Sequence, residues 1–259
     1  MGDEIKITLI ANAGVLVEHK GVGLLVDGIH HEEGHLFSKV TRDDLQHMQQ
    51  GTGVFTHLDY LLFTHEHPDH FTPGHVLQHI RSRAVKGIIL PGESQGSAEL
   101  RKLYSQARKR YIPVWSFDVK PGSTKQVHLA DGLHVTGIGA RHMGPQYASV
   151  QNSCFLLTWA GRNLLFTGDA DHVTEYFQDA LDEVSLDAVF VNPLFYHNPI
   201  GQEIIQDIFC PKAVVIYHMP FEQDDTLPFS YMVESDMKRY AHHSRSTHVF
   251  REKKQIFIL

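Results

Sequence analysis

The run His65-Glu66-His67-Pro68-Asp69-His70 follows an apolar segment, Leu58-Asp59-Tyr60-Leu61-Leu62-Phe63, and this junction constrains the fold more than any other part of the chain. The segment is short, apolar and bounded by polar residues, the pattern of a buried strand. His65 therefore opens a loop at a strand's C-terminal end. In extended backbone, side chains two apart point the same way, so His65 and His67 can converge on one cation while Asp69 and His70 turn toward another. Pro68 stiffens the turn between the two pairs. Neutral nitrogen and carboxylate oxygen without thiolate suit zinc, manganese or iron better than calcium, and a structural zinc site would more often use cysteine. One isolated histidine would read as a solvated loop residue; this spacing after a strand reads as a metal site.

Four residues cannot complete two metal shells, so further ligands are expected after other strands. Three segments qualify. Val135–Ala140 leads into Arg141-His142-Met143, Asn163–Phe166 into Thr167-Gly168-Asp169, and Ala213–Tyr217 into His218-Met219-Pro220. His128 and His134 compete with His142 but belong to an alternating, strand-like stretch. Asp171 competes with Asp169, yet it precedes residues 172–177 as a helix cap would.

This set resembles the ligand pattern of the metallo-β-lactamase superfamily: HxHxDH, a downstream His, a Gly-Asp after a strand and a last strand-end His. The resemblance covers nearly the whole chain. By position it implies that His65, His67 and His142 hold a first metal, that Asp69, His70 and His218 hold a second, and that Asp169 bridges both. Leu24-Leu25-Val26-Asp27-Gly28 resembles the superfamily's first motif, which implies that Asp27 supports the metal loop from behind. The region from Ala140 to Ala170 is most similar to the branch holding ascorbate-6-phosphate lactonase and the N-acylphosphatidylethanolamine phospholipase D. Met143 and Ala11-Asn12 depart from that branch, whose phospholipase has Trp after its His and many of whose members have an early Gly-His.

The rest of the chain is expected to supply the layers of an αββα sandwich in a single domain, residues 1–259. Strands are expected near 5–10, 14–18 and 22–27, then a helix at 41–50 with Thr41 as cap and Gly51 as stop. Thr72-Pro73 opens another helix, Lys86–Pro91 is a strand, and a helix near 96–110 carries Arg101, Lys102, Arg108, Lys109 and Arg110. The second half repeats the plan, with strands near 112–118, 124–129, 132–140, 152–159 and 162–167 and a C-terminal strand at 255–259. Strand-rich halves with interleaved helices suit layers of sheet and helix.

A chain of 259 residues with 42% apolar content can bury a large core. No stretch reaches the roughly 20 apolar residues of a membrane span, and residues 1–6 lack the apolar core of an export signal, so a cytoplasmic location is expected. Cys154 and Cys210 read as reduced packing residues. A formal charge of −7 argues against a nucleic-acid partner, and the basic helix reads as a solvated face.

The expected activity is hydrolysis of a small ester, lactone or phosphodiester by a hydroxide bridging two divalent ions, zinc first, with manganese or iron acceptable to the same donors. Asp69 would be both ligand and orienting partner of that hydroxide. His197 and Tyr196, after the apolar run Ala188–Val191, are candidate proton donors, and His30, His31 and His35 candidate lining residues. The alternative is a mononuclear iron oxygenase or other redox member of the same fold. His67 replaces the Glu of the flavodiiron members, which disfavours di-iron oxygen reduction. The partner expected is a small molecule, with no membrane span and an oligomeric state left open.

Overall fold

In the computed structural model, residues 4–32, 34–243 and 245–259 are described; residues 1–3, read above for an export signal, lie outside them. The chain groups into two compact units, Met1–Asp118 with Lys253–Leu259, and Val119–Glu252. Among the described residues, no helix is long and apolar enough to cross a membrane.

The first unit is built on a seven-stranded mixed sheet in the order β14-β1-β2-β3-β4-β5-β6. Its strands are β1 (Lys6–Leu9), β2 (Val15–His19), β3 (Val22–Val26), β4 (Leu58–Leu62), β5 (Gly87–Pro91), β6 (Val114–Phe117) and β14 (Ile256–Ile258). Lys20 and Gly21 both take positive φ, 47° and 76°, the backbone of a tight two-residue hairpin, so β2 and β3 pair antiparallel. From β3 onward the pairs are parallel, which requires crossovers: α1 (Arg42–Gln50), α2 (Pro73–Ser82) and α3 (Ala98–Lys109). Thr41 caps α1 by accepting from the Asp44 amide, and Gly51 ends it at φ 66°, as the sequence suggests. Pro73 starts α2, but the Thr72 hydroxyl makes no capping bond; its amide is tied instead to the Ile29 carbonyl.

The parallel register positions the site. Val26 pairs with Leu62, and the Asp27 amide donates to the Leu62 carbonyl at 2.9 Å, so the loop after β3 lies beside the loop after β4. Leu25, Leu61, Phe63, Phe71, Ile88 and Leu103 are buried in the core between this sheet and its helices.

His79 is buried with them, and neither ring nitrogen has a hydrogen-bond partner among the described residues. Burial, with a smaller contribution from Arg83, lowers its pKa from 6.5 to about 4. The folded chain therefore keeps His79 neutral while the unfolded chain protonates it below pH 6.5. Stability conferred above that pH is lost as pH falls from about 6.5 toward about 4. The loss amounts to about 3 kcal/mol. Urea unfolding of metal-free protein should show this slope, and His79→Leu should flatten it. An equal slope in the variant would assign the acid sensitivity to other groups.

The second unit repeats the plan in the order β13-β12-β11-β10-β9-β8-β7. β7 (Thr124–Ala130), β8 (Leu133–Arg141), β9 (Gln151–Trp159) and β10 (Arg162–Phe166) form an antiparallel meander. Ala160 and Gly161 take positive φ at its last turn, as Lys20 and Gly21 do in the first unit. β11 (Ala188–Val191), β12 (Ala213–Ile216) and β13 (Ser246–Val249) then add in parallel. The segment after β11 is two short helices, α4 (Pro193–His197) and α5 (Pro199–Glu203), running into a π-helical turn, Ile204–Phe209; α6 (Phe229–Arg239) precedes β13.

Two expectations are corrected here. Residues 172–177 hold a 3-10 turn, Thr174–Tyr176, whose cap Val173 makes no side-chain bond, and the Asp171 carboxylate accepts from the adjacent His172 amide at 2.9 Å. Cys154 is buried as expected, where burial pushes its thiol pKa up, but Cys210 is exposed, ending the π turn at φ 41°.

Candidate metal centre

In the first unit, Asp27 organises the loop that follows β4. Its carboxylate is fully buried. Oδ1 accepts from the Thr64 amide at 2.8 Å, while Oδ2 accepts from the Thr64 hydroxyl at 2.7 Å and from His70 Nδ1 at 2.9 Å. Because Asp27 is an acceptor, the His70 proton sits on Nδ1 and its Nε2 carries the lone pair. Thr64 passes the same order to His65: its hydroxyl donates to Asp27, so its oxygen accepts from His65 Nδ1 at 3.0 Å. His65 Nε2 is then the donor atom. The His65 ring lies 4.7 Å from the His67 ring and 4.1 Å from the His70 ring, centroid to centroid. His65 and His67 bring ligand atoms within 4.8 Å of each other, as do Asp69 and His70. Glu66 points elsewhere and accepts from the amide and hydroxyl of Ser97, the cap of α3, which ties the loop to that helix.

The second unit carries the other three expected ligands at strand ends. His142 follows β8 and is paired with Ala170 across an isolated bridge, with the Met143 amide donating to the Asp169 carbonyl at 2.8 Å. This register sets His142 Nε2 3.3 Å from Asp169 Oδ2. His142 Nδ1 donates to the Met143 carbonyl at 2.7 Å, so here too Nε2 faces the carboxylate side as the donor atom. His218, one residue past Tyr217, takes φ 56° and sets its Nε2 3.7 Å from Asp169 Oδ1. A non-glycine residue in the left-handed region costs about 1–2 kcal/mol, and such outliers cluster at functional sites.

The competing candidates lie elsewhere. His128 and His134 face each other across the β7–β8 pair with ring centroids 4.7 Å apart. Asp171 is 43% exposed and contacts His172 rather than the His142–Asp169–His218 group. His197 Nδ1 pairs with the buried Asp236 at 2.8 Å, and the Tyr196 hydroxyl shares a hydrogen bond with Thr247. Burial raises the Tyr196 pKa. Thr247 is opposite Val214 on β12, four residues before His218, or roughly 13 Å of strand. Both proposed donors thus have partners of their own, toward α6 and β13. His31 Nδ1 is bonded to the Val40 carbonyl, and with Arg42, Gln46, Gln49 and His75 it lines an open cleft of about 980 Å³ on the first unit.

Several residues in these two groups escaped the sequence reading. Thr64 transmits the tautomer. Asn152 Oδ1 accepts from the Asp169 amide at 3.1 Å, and Asn192 Nδ2 donates to Asp169 Oδ1 at 3.0 Å. Tyr147 packs edge-on against His142 at 4.8 Å. Thr64 and Tyr147 lie near their histidines in sequence but are not ligand types, while Asn152 and Asn192 reach Asp169 across 17 and 23 residues through the tertiary fold.

The donor set fits a divalent metal: imidazoles whose Nδ1 is committed to an oxygen and whose Nε2 remains the ligand atom, with carboxylates beside them.

No curated protein matches the chain. Among solved structures, Igni18, a metallo hydrolase from Ignicoccus hospitalis, is similar over 99% of this chain and 98% of its own, at 16% identity and TM-score 0.63. A possible metal-dependent hydrolase from Veillonella parvula gives 98% and 99% coverage, 16% identity and TM-score 0.66. CmlA, a diiron β-hydroxylase from Streptomyces venezuelae, covers all of this chain at 15% identity and TM-score 0.61, but this chain spans only 54% of CmlA. These likenesses show the fold, the layered α/β sandwich expected from the sequence. A family profile described as a beta-lactamase superfamily domain matches residues 41–223, well over half of the chain and from α1 past His218, and the chain therefore belongs to that superfamily, in its metallo-β-lactamase form.

Proposed function

We propose that this protein is a metal-dependent hydrolase. His65, His67 and His142 would hold one divalent ion and Asp69, His70 and His218 a second, with Asp169 serving both. The observation that carries this reading is the tautomer wiring: Asp27, Thr64 and the Met143 carbonyl hold the Nδ1 protons of His70, His65 and His142, leaving Nε2 as the donor of each. Divalent ions bound there supply Lewis acidity and lower the pKa of a coordinated water toward about 7. Asp69 would accept a hydrogen bond from the attacking water and orient it, so that no serine or cysteine nucleophile is needed.

The substrate class we favour is a small ester, lactone or phosphodiester. A nucleic-acid substrate has less support, because the net charge is −7 and the basic face of α3 is partly engaged, with Arg108 bidentate to Glu93 at 2.9 and 2.6 Å.

Elemental analysis of protein purified without added metal or a histidine tag tests the reading. About two zinc or manganese ions per chain, with hydrolysis of a member of an ester, lactone and phosphodiester panel that is lost to a chelator, is the expected result. A single iron with oxygen consumption would overturn it in favour of a redox enzyme, a second reading that the structural likeness to a diiron hydroxylase keeps in view.

A further inference from the structure

Asp169 is held at two separate points, and the two have different consequences. Its backbone is fixed by Asn152, a fully buried residue whose Oδ1 accepts from the Asp169 amide while its Nδ2 donates to the Thr167 carbonyl, both at 3.1 Å. Its carboxylate is fixed by Asn192, also buried, whose Nδ2 donates to Asp169 Oδ1 at 3.0 Å and to the Gly168 carbonyl at 3.1 Å. The terminal torsion of an aspartate is broad and nearly two-fold, so fixing the backbone alone does not settle which way its oxygens face. The bond from Asn192 does settle it. Oδ2 is turned to His142 Nε2 at 3.3 Å and Oδ1 to His218 Nε2 at 3.7 Å.

We propose that Asn192 is a positioning residue for the metal centre, setting the twist of the Asp169 carboxylate so that one oxygen serves the His142 side and the other the His218 side. The inference rests on the metal-site reading above and extends it to a residue outside the ligand set. Asn192 binds only one of the two oxygens, so the two sides are unequal. Releasing the carboxylate frees Oδ1 first, and the ion on the His218 side should suffer more than the ion on the His142 side. Partners that orient a metal ligand in this way are typically worth 10–100-fold in affinity.

Asn192 also caps α4, its Oδ1 accepting from the Phe195 amide at 2.8 Å, so alanine would confuse loss of the cap with loss of the clamp. Serine separates them. It retains a capping oxygen but has no amide to reach Asp169. The experiment is a Zn²⁺ titration of metal-free protein against a chromogenic chelator, with the thermal unfolding midpoint of each metal-free protein recorded alongside. For Asn192→Ser the expected result is an unfolding midpoint close to wild type, with one zinc step lowered 10–100-fold and the other changed little. A wild-type zinc profile in a folded Asn192→Ser variant would overturn the inference. So would equal weakening of both steps. Asp169→Ala is the control for the site itself. If it loses zinc while Asn192→Ser does not, the clamp alone is wrong; if neither loses zinc, the ligand assignment has failed.

Discussion

Replacing Asp27 by alanine should unfold the chain more readily by about 3 kcal/mol or more and remove most of its metal affinity, although Asp27 is not among the proposed ligands. Three buried donors lose their acceptor at once: the Thr64 amide, the Thr64 hydroxyl and His70 Nδ1. Each buried donor left unsatisfied costs about 1–3 kcal/mol, part of which relaxation recovers. Asp27 also sits at φ 46°, where alanine adds about 1–2 kcal/mol of strain and asparagine much less. Asp27→Asn therefore separates the two effects. It keeps one acceptor and tolerates the backbone, but it turns an amide N–H toward His70 Nδ1. His70 must then move its proton to Nε2, the atom proposed to bind metal. Asp27→Asn should accordingly stay folded in urea titrations yet lose metal in chelator competition. Metal binding equal to wild type in that variant would show that the His70 tautomer does not depend on Asp27.

Part of the proposed centre is legible in the local sequence. His65, His67, Asp69 and His70 are neighbours in sequence: period-two geometry after an apolar strand pairs His65 with His67, and the turn in which the His70 amide donates to the His67 carbonyl carries Asp69 and His70. Asp169 and His218 were readable for a related reason. In a parallel sheet the loops at the strands' C-terminal ends lie together, as β10, β11 and β12 place residues 167–169, 192 and 217–218. Each is marked by a polar residue directly after an apolar run.

What the sequence hid was contact across long separations. Asn192 lies 23 residues from Asp169 and reads locally as a helix cap before Pro193, which it also is. Its second amide function is invisible without the parallel pairing of β10 with β11. Asp171 was misread for the opposite reason: local cap chemistry suggested a helix, but only a 3-10 turn forms there, with the Asp171 amide held by the Arg141 carbonyl. Cys210, which precedes Pro211, reads in the sequence as a reduced packing residue. The π turn that ends there rotates it into the left-handed region and leaves it exposed.

The largest effect on catalysis is expected at Asp69. It is buried beside His70, with Oδ2 3.7 Å from His70 Nε2, and it is the one carboxylate of the HxHxDH run that does not point away to a helix cap, as Glu66 does. If it both holds an ion and orients the attacking water, its removal takes away an interaction used in the transition state as well as in binding. Asp69→Ala should then lower kcat/KM by at least about 10³-fold, or about 4 kcal/mol. Folding should change far less, since the bonds from the Thr64 amide, the Thr64 hydroxyl and His70 Nδ1 go to Asp27. The assay is turnover of whichever panel substrate the wild type hydrolyses, with the variant reloaded with zinc and its metal content measured in the same sample. Two losses are distinguishable. A variant that regains a full metal complement but stays inactive assigns Asp69 to the attacking water, whereas one that regains activity as metal concentration rises assigns it to binding alone. Undiminished hydrolysis by a metal-loaded Asp69→Ala protein would remove Asp69 from both roles and leave the reaction to the histidines and Asp169.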